Sequence, residues 1–168
     1  PSLVTIPKGF IGLSNLQKLP IESKKLPTIS DEILFLKSLT DLSIINSPIQ
    51  EFPSKMTSLV NLETLKLDNT NLNELPKSIG DLKYLSVLDI NKSNIKKIPS
   101  EIINLKLLKK LAITNSLINE INPTLTQLIN LRSLNLSYNK IMEIPPELGN
   151  LENLVELNLS NNNISNIP

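Results

Sequence analysis

The sequence predicts an α/β solenoid: a stack of strand–turn–short-helix units sharing one parallel β-sheet. Two observations carry that prediction. Leucines and isoleucines recur every 23 residues along all 168. Within each unit, a stretch of alternating apolar residues precedes a stretch of helical spacing. Composition agrees, because 40% of residues are hydrophobic but only 3% are aromatic, with no Trp. A single large core usually takes bulk from rings, so filling by Leu and Ile points to many thin, similar layers.

Each unit opens on the column Leu16, Leu39, Leu62, Leu85, Leu108, Leu131 and Leu154. Three residues on stand Leu19, Leu42, Leu65, Leu88, Leu111, Leu134 and Leu157, and two further on Ile21, Ile44, Leu67, Ile90, Ile113, Leu136 and Leu159. The alternation Leu65-Lys66-Leu67 is that of a strand with its apolar side inward. Strands are expected near 16–22, 39–45, 62–68, 85–91, 108–114, 131–137 and 154–160. The second half of the unit carries a column from Ile29 through Leu75 to Ile167, then proline at Pro53, Pro76, Pro99, Pro145 and Pro168. Leu75, Ile79 and Leu82 then follow the spacing of a helical face, with Pro76 suited to a first helical position.

Residues 1–15 form a partial repeat, 16–38, 39–61, 62–84, 85–107, 108–130 and 131–153 are complete, and 154–168 open another. The whole is read as one domain, since no unit can bury its apolar side alone. Both ends fall inside a repeat and the start Pro1-Ser2 is not an initiator methionine. A longer parent chain with capping units is therefore expected. Pro20 lacks the N–H that a ladder needs, so its strand is expected at the sheet edge. The ninth column reads Lys24, Ser47, Thr70, Ser93, Ser116, Asn139, Asn162. Asn, Ser and Thr there can bond the turning backbone; Lys24 cannot, which marks the first unit as irregular.

The consensus L-x-x-L-x-L-x-x-[SN]-x-I-x-x-I-P-x-x-I-x-x-L-x-x resembles the 23-residue leucine-rich-repeat class, over the whole chain. That class includes the Ras-suppressor and Ras-scaffold proteins, their plant relatives, Roco-type proteins and many bacterial repeat proteins. The resemblance implies a right-handed array with the parallel sheet on its concave face and short helices or 3₁₀ segments on the convex side. It also implies protein–protein recognition, in signalling or host–microbe contact.

Composition removes other functions. With no His and no Cys, nucleophilic triads and histidine- or thiolate-held metals are out, so no enzyme, cofactor or metal is expected. A carboxylate pair such as Asp68 with Asp89 is conceivable for acid–base work, but an open sheet offers no desolvated cleft to split their pKa values. A net charge of +1 with a single arginine, Arg132, gives no basic face for nucleic acid. No apolar run is long enough for membrane insertion. The cysteine-free composition, with no signal peptide, favours the cytoplasm. Lys92, Lys96, Lys97, Lys106, Lys109 and Lys110 cluster in sequence, as a solvated surface or as a contact for an acidic partner.

What remains is a binding face made by the third, fifth, seventh and eighth positions of each unit. The candidate partner-binding residues are Asp41, Ile45, Lys66, Asp68, Val87, Asp89, Lys92, Lys110 and Tyr138. Ile45, Val87 and Tyr138 would be the apolar anchors. Seven strands give this face an area on the order of 450 Å², below the roughly 800 Å² of a standard interface. A protein partner is thus expected to touch adjacent loops or further repeats as well. The alternative is a regulatory arm for an attached catalytic or GTPase domain; oligomeric state is left open.

Overall fold

The computed structural model describes residues 3–53 and 55–166. Pro1, Ser2, Ser54 and the final column pair Ile167 and Pro168 lie outside the described residues.

Among the described residues seven strands form one open parallel sheet in chain order: β1 (Lys18–Glu22), β2 (Asp41–Ser47), β3 (Thr64–Thr70), β4 (Val87–Asn91), β5 (Lys110–Thr114), β6 (Ser133–Asn135) and β7 (Glu156–Asn158). Equivalent columns pair throughout, as Leu42 with Leu65 and Leu65 with Leu88. Each strand begins two residues later than the leucine pattern predicts. The opening leucine is still closing the preceding turn: Leu62 N–H donates to Leu59 O at 3.1 Å, and Leu85 N–H to Leu82 O at 3.0 Å. The last two strands also end early. Asn135 Oδ1 accepts the Ser137 N–H and Asn158 Oδ1 the Ser160 N–H, each at 3.0 Å. Such local side-chain bonds compete with the ladder. Pro20 sits in β1 at the sheet edge, paired only with Ser43.

The return segments are 3₁₀ turns: Lys8–Gly12, Asp31–Phe35, Met56–Ser58, Lys77–Asp81, Ser100–Asn104, Pro123–Gln127 and Pro146–Asn150. Their bonds are i→i+3, as from Ile79 N–H to Pro76 O at 2.9 Å. This also corrects the place of the column proline. Pro76 and Pro99 stand one residue before the turn, with ψ of 149° and 144°. An N-cap carbonyl already accepts the first turn bond while its backbone stays extended, which suits proline. Where the column has Asn122 instead, its Oδ1 caps the Thr124 N–H at 2.9 Å.

The apolar columns meet between sheet and turns, and Leu39, Leu62, Leu85, Leu108 and Leu131 are fully buried. The ninth column stitches the turn after most strands, though Thr70 Oγ1 is buried without a hydrogen-bond partner. Ser47 Oγ donates to Ile45 O at 3.1 Å, and Ser93 and Ser116 share a 2.8 Å bond. In the first unit Lys24 is exposed, and Ser23, one residue earlier, takes the role. Ser23 is buried, bonds Leu3 O and accepts the Lys25 N–H. A fixed 23-residue ruler misses that one-residue slip.

The thirteenth column reads Glu51, Glu74, Lys97, Glu120 and Glu143, a pattern that predicts a charge ladder around Lys97 at the roughly 5 Å spacing of stacked units. Half of this is present: Lys97 meets Glu120 at 2.9 Å, with both side chains largely exposed, and among the described residues no Glu74 ion pair forms. Exposed pairs contribute about 0–1 kcal/mol. Lys97→Ala is expected to leave the urea midpoint almost unmoved; a large drop would mean that Lys97 supports packing.

Candidate functional site

Inward-facing leucines force the alternate strand positions outward, so seven of the nine candidate residues share one face. They divide into three groups along the strands. Asp41, Val87 and Lys110 stand where β2, β4 and β5 begin. Lys66 and Asp89 occupy neighbouring central positions, paired in register. Ile45 and Asp68 lie towards the strand ends, also paired in register.

A shallow depression of about 380 Å³ is lined by Ser43, Ile45, Lys66, Asp68, Asp89, Asn91 and Thr114. It brings four candidates together: Ile45, Lys66, Asp68 and Asp89. Asp41, Val87, Lys92 and Tyr138 lie outside it. Lys110 is tied to it through a 2.8 Å ion pair with Asp89. Asp68 accepts a 2.7 Å bond from Asn91 Nδ2, so the two carboxylates have separate partners. Further bonds run from Thr114 Oγ1 and Asn115 Nδ2 to Asn91 Oδ1, at 3.1 and 2.9 Å. The floor is thus a hydrogen-bonded polar mosaic with Ile45 and Leu67 as its apolar elements. Ala112, between Asp89 and Asn135, is buried within the same face.

Lys92 and Tyr138 belong to a rim that the leucine pattern does not describe. From the unit of β2 to that of β7, the eighth residue turns the chain with positive φ: Asn46, Asn69, Lys92, Asn115, Tyr138 and Asn161 lie between 49° and 56°. Asn tolerates this left-handed conformation best among residues with a Cβ. Lys92 and Tyr138 are the two departures, and Tyr138 is 55% exposed. The Asn column was visible in the sequence as the signal for this turn.

The mid-chain lysine cluster separates in space. Lys92, Lys96 and Lys97 follow the end of β4, whereas Lys106, Lys109 and Lys110 precede or open β5. They occupy opposite rims, because neighbours in sequence across a return segment are not neighbours on the surface. A larger hollow of about 570 Å³ lies beyond the strand ends, among Pro76, Lys97, Pro99 and Glu120. Its lining draws on the charge column and the column prolines.

Among the described residues no helix is long and apolar enough to cross a membrane. A family model for a leucine-rich repeat region matches residues 54–126, and one for two copies of leucine-rich repeats matches 129–168. No curated protein matches the sequence. Among solved structures the chain is similar to a leucine-rich-repeat protein of Leptospira interrogans, at 28% identity and TM-score 0.74, over 99% of this chain and 48% of that one. It is similar to internalin C2 of Listeria monocytogenes, at 28% identity and TM-score 0.80, over 99% and 70%. It is also similar to the ectodomain of an Arabidopsis thaliana receptor kinase in complex with Casparian strip integrity factor 2, at 26% identity and TM-score 0.83, over 96% and 20%. The chain thus spans about half the length of the Leptospira protein. The likeness agrees with the solenoid build of this chain, one open parallel seven-stranded sheet with short 3₁₀ return turns among the described residues.

Proposed function

The chain is a leucine-rich-repeat protein, and from that premise we propose that it is a non-catalytic module that binds a protein partner through its concave strand face and adjoining rim. The observation that carries the reading is Tyr138. Five other residues share its turn position, four of them Asn, with the same left-handed backbone. A tyrosine there carries strain of order 1 kcal/mol that asparagine would relieve, yet its ring stands in solvent. Strain of this kind collects at functional sites, and an exposed Tyr is a typical interface anchor.

Around it the partner meets Ile45, Lys66, Asp68 and Asp89 in the depression, Asp41, Val87 and Lys110 at the strand starts, and Lys92 on the same rim. Signalling or host–microbe contact is the setting this reading assigns, supported by the bacterial and plant arrays of the same build. The cysteine-free composition supports a cytoplasmic setting.

Tyr138→Asn separates stability from binding. By urea unfolding it is expected to gain about 0.5–1 kcal/mol. Partner capture, followed by photo-crosslinking from position 138, is expected to fall about tenfold or more. Unchanged capture by the variant, or cross-links only from the convex Glu147, would remove Tyr138 from the site.

A further inference from the structure

The rim where the strands begin carries a second surface, separate from the strand face and independent of the reading above. Six consecutive passages from a 3₁₀ turn into the next strand each expose one large apolar residue: Phe35 as the last residue of its turn, then Val60, Tyr84, Leu107, Ile129 and Val155 on the segment that follows the turn. Single exposed apolar residues are ordinary; one in every unit, on the same rim, is a stripe.

The middle of the stripe also displaces a structural device. Asn61 Nδ2 donates to Lys37 O at 2.8 Å, Asn130 Nδ2 to Lys106 O at 2.8 Å and Asn153 Nδ2 to Ile129 O at 2.7 Å, each bracing the unit before it. Tyr84 and Leu107 occupy the same repeat position in the two central units. The brace is given up there, and the side chains are 56% and 45% exposed.

Charge indicates what covers the stripe. Lys37, Lys83, Lys106, Lys109 and Arg132 lie along this rim and are exposed, against Glu63, Asp81 and Glu152. Among the described residues none of those five cations meets a carboxylate; the ion pairs are Lys77–Glu101, Lys97–Glu120 and Lys110–Asp89. Lys83 Nζ bonds only the Gly80 carbonyl, at 3.0 Å. Successive units are spaced by about 4.8 Å, close to the roughly 5.4 Å pitch of an α-helix. A helix lying along the stack sets one apolar side chain, at i, i+4, i+7 and i+11, against each unit. A stripe one residue wide suits such a rod better than the broad plane of a bilayer.

We propose that the rim of Val60, Tyr84, Leu107 and Ile129 docks an acidic amphipathic α-helix of a protein partner.

The probe is a synthetic peptide with Leu at i, i+4, i+7 and i+11, Glu on both flanks and Ala elsewhere. It is titrated into the whole chain and followed by backbone amide shifts. Controls are a scrambled peptide, the same peptide with Lys for Glu, and phosphatidylserine vesicles. Saturable binding with shifts centred on the four rim residues is expected. Tyr84→Asn with Leu107→Asn should weaken it by about tenfold or more. That double variant should fold, because the new amides can reach Val60 O and Lys83 O as Asn61 reaches Lys37 O. Lys106→Glu with Lys109→Glu provides a second route to the same loss. The proposal fails if the peptide does not bind, if its shifts fall on the strand face, or if both variants bind unchanged. Equal binding of the Lys peptide, or binding to vesicles alone, also overturns it.

Discussion

Asn139→Ala is expected to lower the unfolding free energy by about 2–4 kcal/mol, measured by urea denaturation. The side chain is buried, and its Nδ2 donates to Ile113 O at 2.7 Å, Leu136 O at 3.0 Å and Ser137 O at 3.2 Å. Its Oδ1 accepts the Ile118 N–H at 2.9 Å. Two of these partners, Ile113 and Ile118, belong to the preceding unit, so one amide joins two layers as well as closing its own turn. Alanine leaves a buried N–H and several carbonyls without this partner, and each such orphan costs about 1–3 kcal/mol before relaxation. Asn162 is the internal comparison. It makes equivalent bonds to Leu136 O, Leu159 O and Ile141 N–H but is only half-buried, so water can replace much of what alanine removes there. Asn162→Ala should cost clearly less. Equal losses at both sites would mean that burial does not set the value of this column.

The residues that were easiest to read in the sequence are those whose spacing is fixed by packing. Leu65, Leu88 and Leu111 must meet the leucine of the next unit, and that requirement gives the strand register directly. Strand limits depend instead on which group captures a particular N–H. Leu62 closing onto Leu59, or Asn135 taking the Ser137 N–H, depends on local geometry that hydrophobic spacing does not encode. The turn type was hidden for a related reason, since Leu75, Ile79 and Leu82 suit an α-helical face and a 3₁₀ turn alike. In the candidate site, the alternation of strand positions brought Ile45, Lys66, Asp68 and Asp89 to one face, but the division of the lysine cluster between two rims required the path of the return segment. The apolar rim was missed because its residues drift among neighbouring repeat positions, from Phe35 to Val60 to Tyr84. A column search sees such drift as scatter, whereas the turn gathers it onto one edge.

Gly80→Ala is expected to destabilise the chain by about 1–3 kcal/mol, while Gly149→Ala, at the same repeat position, should be neutral or stabilising by about 0.4–1 kcal/mol. A Cβ on Gly80 would lie 2.3 Å from the Glu101 backbone oxygen and 3.1 Å from its carbonyl carbon. The obstacle is the neighbouring turn's backbone, not a side chain that can rotate away, so Lys77–Asp81 and Ser100–Asn104 must move apart. A Cβ on Gly149 meets no heavy atom within 4 Å in this 168-residue chain, where among the described residues no further turn packs on Pro146–Asn150 as Ser100–Asn104 packs on Lys77–Asp81, and no described glycine has positive φ. At that site alanine only narrows the unfolded ensemble. Leu34 and Ile103 fill the same column in other units, so the position does not demand glycine in general; the close approach of Glu101 demands it at one unit. The two urea midpoints should move in opposite directions from the parent. If both fell together, the cost would lie in the turn's own backbone, and the contact between Gly80 and Glu101 would not be its cause.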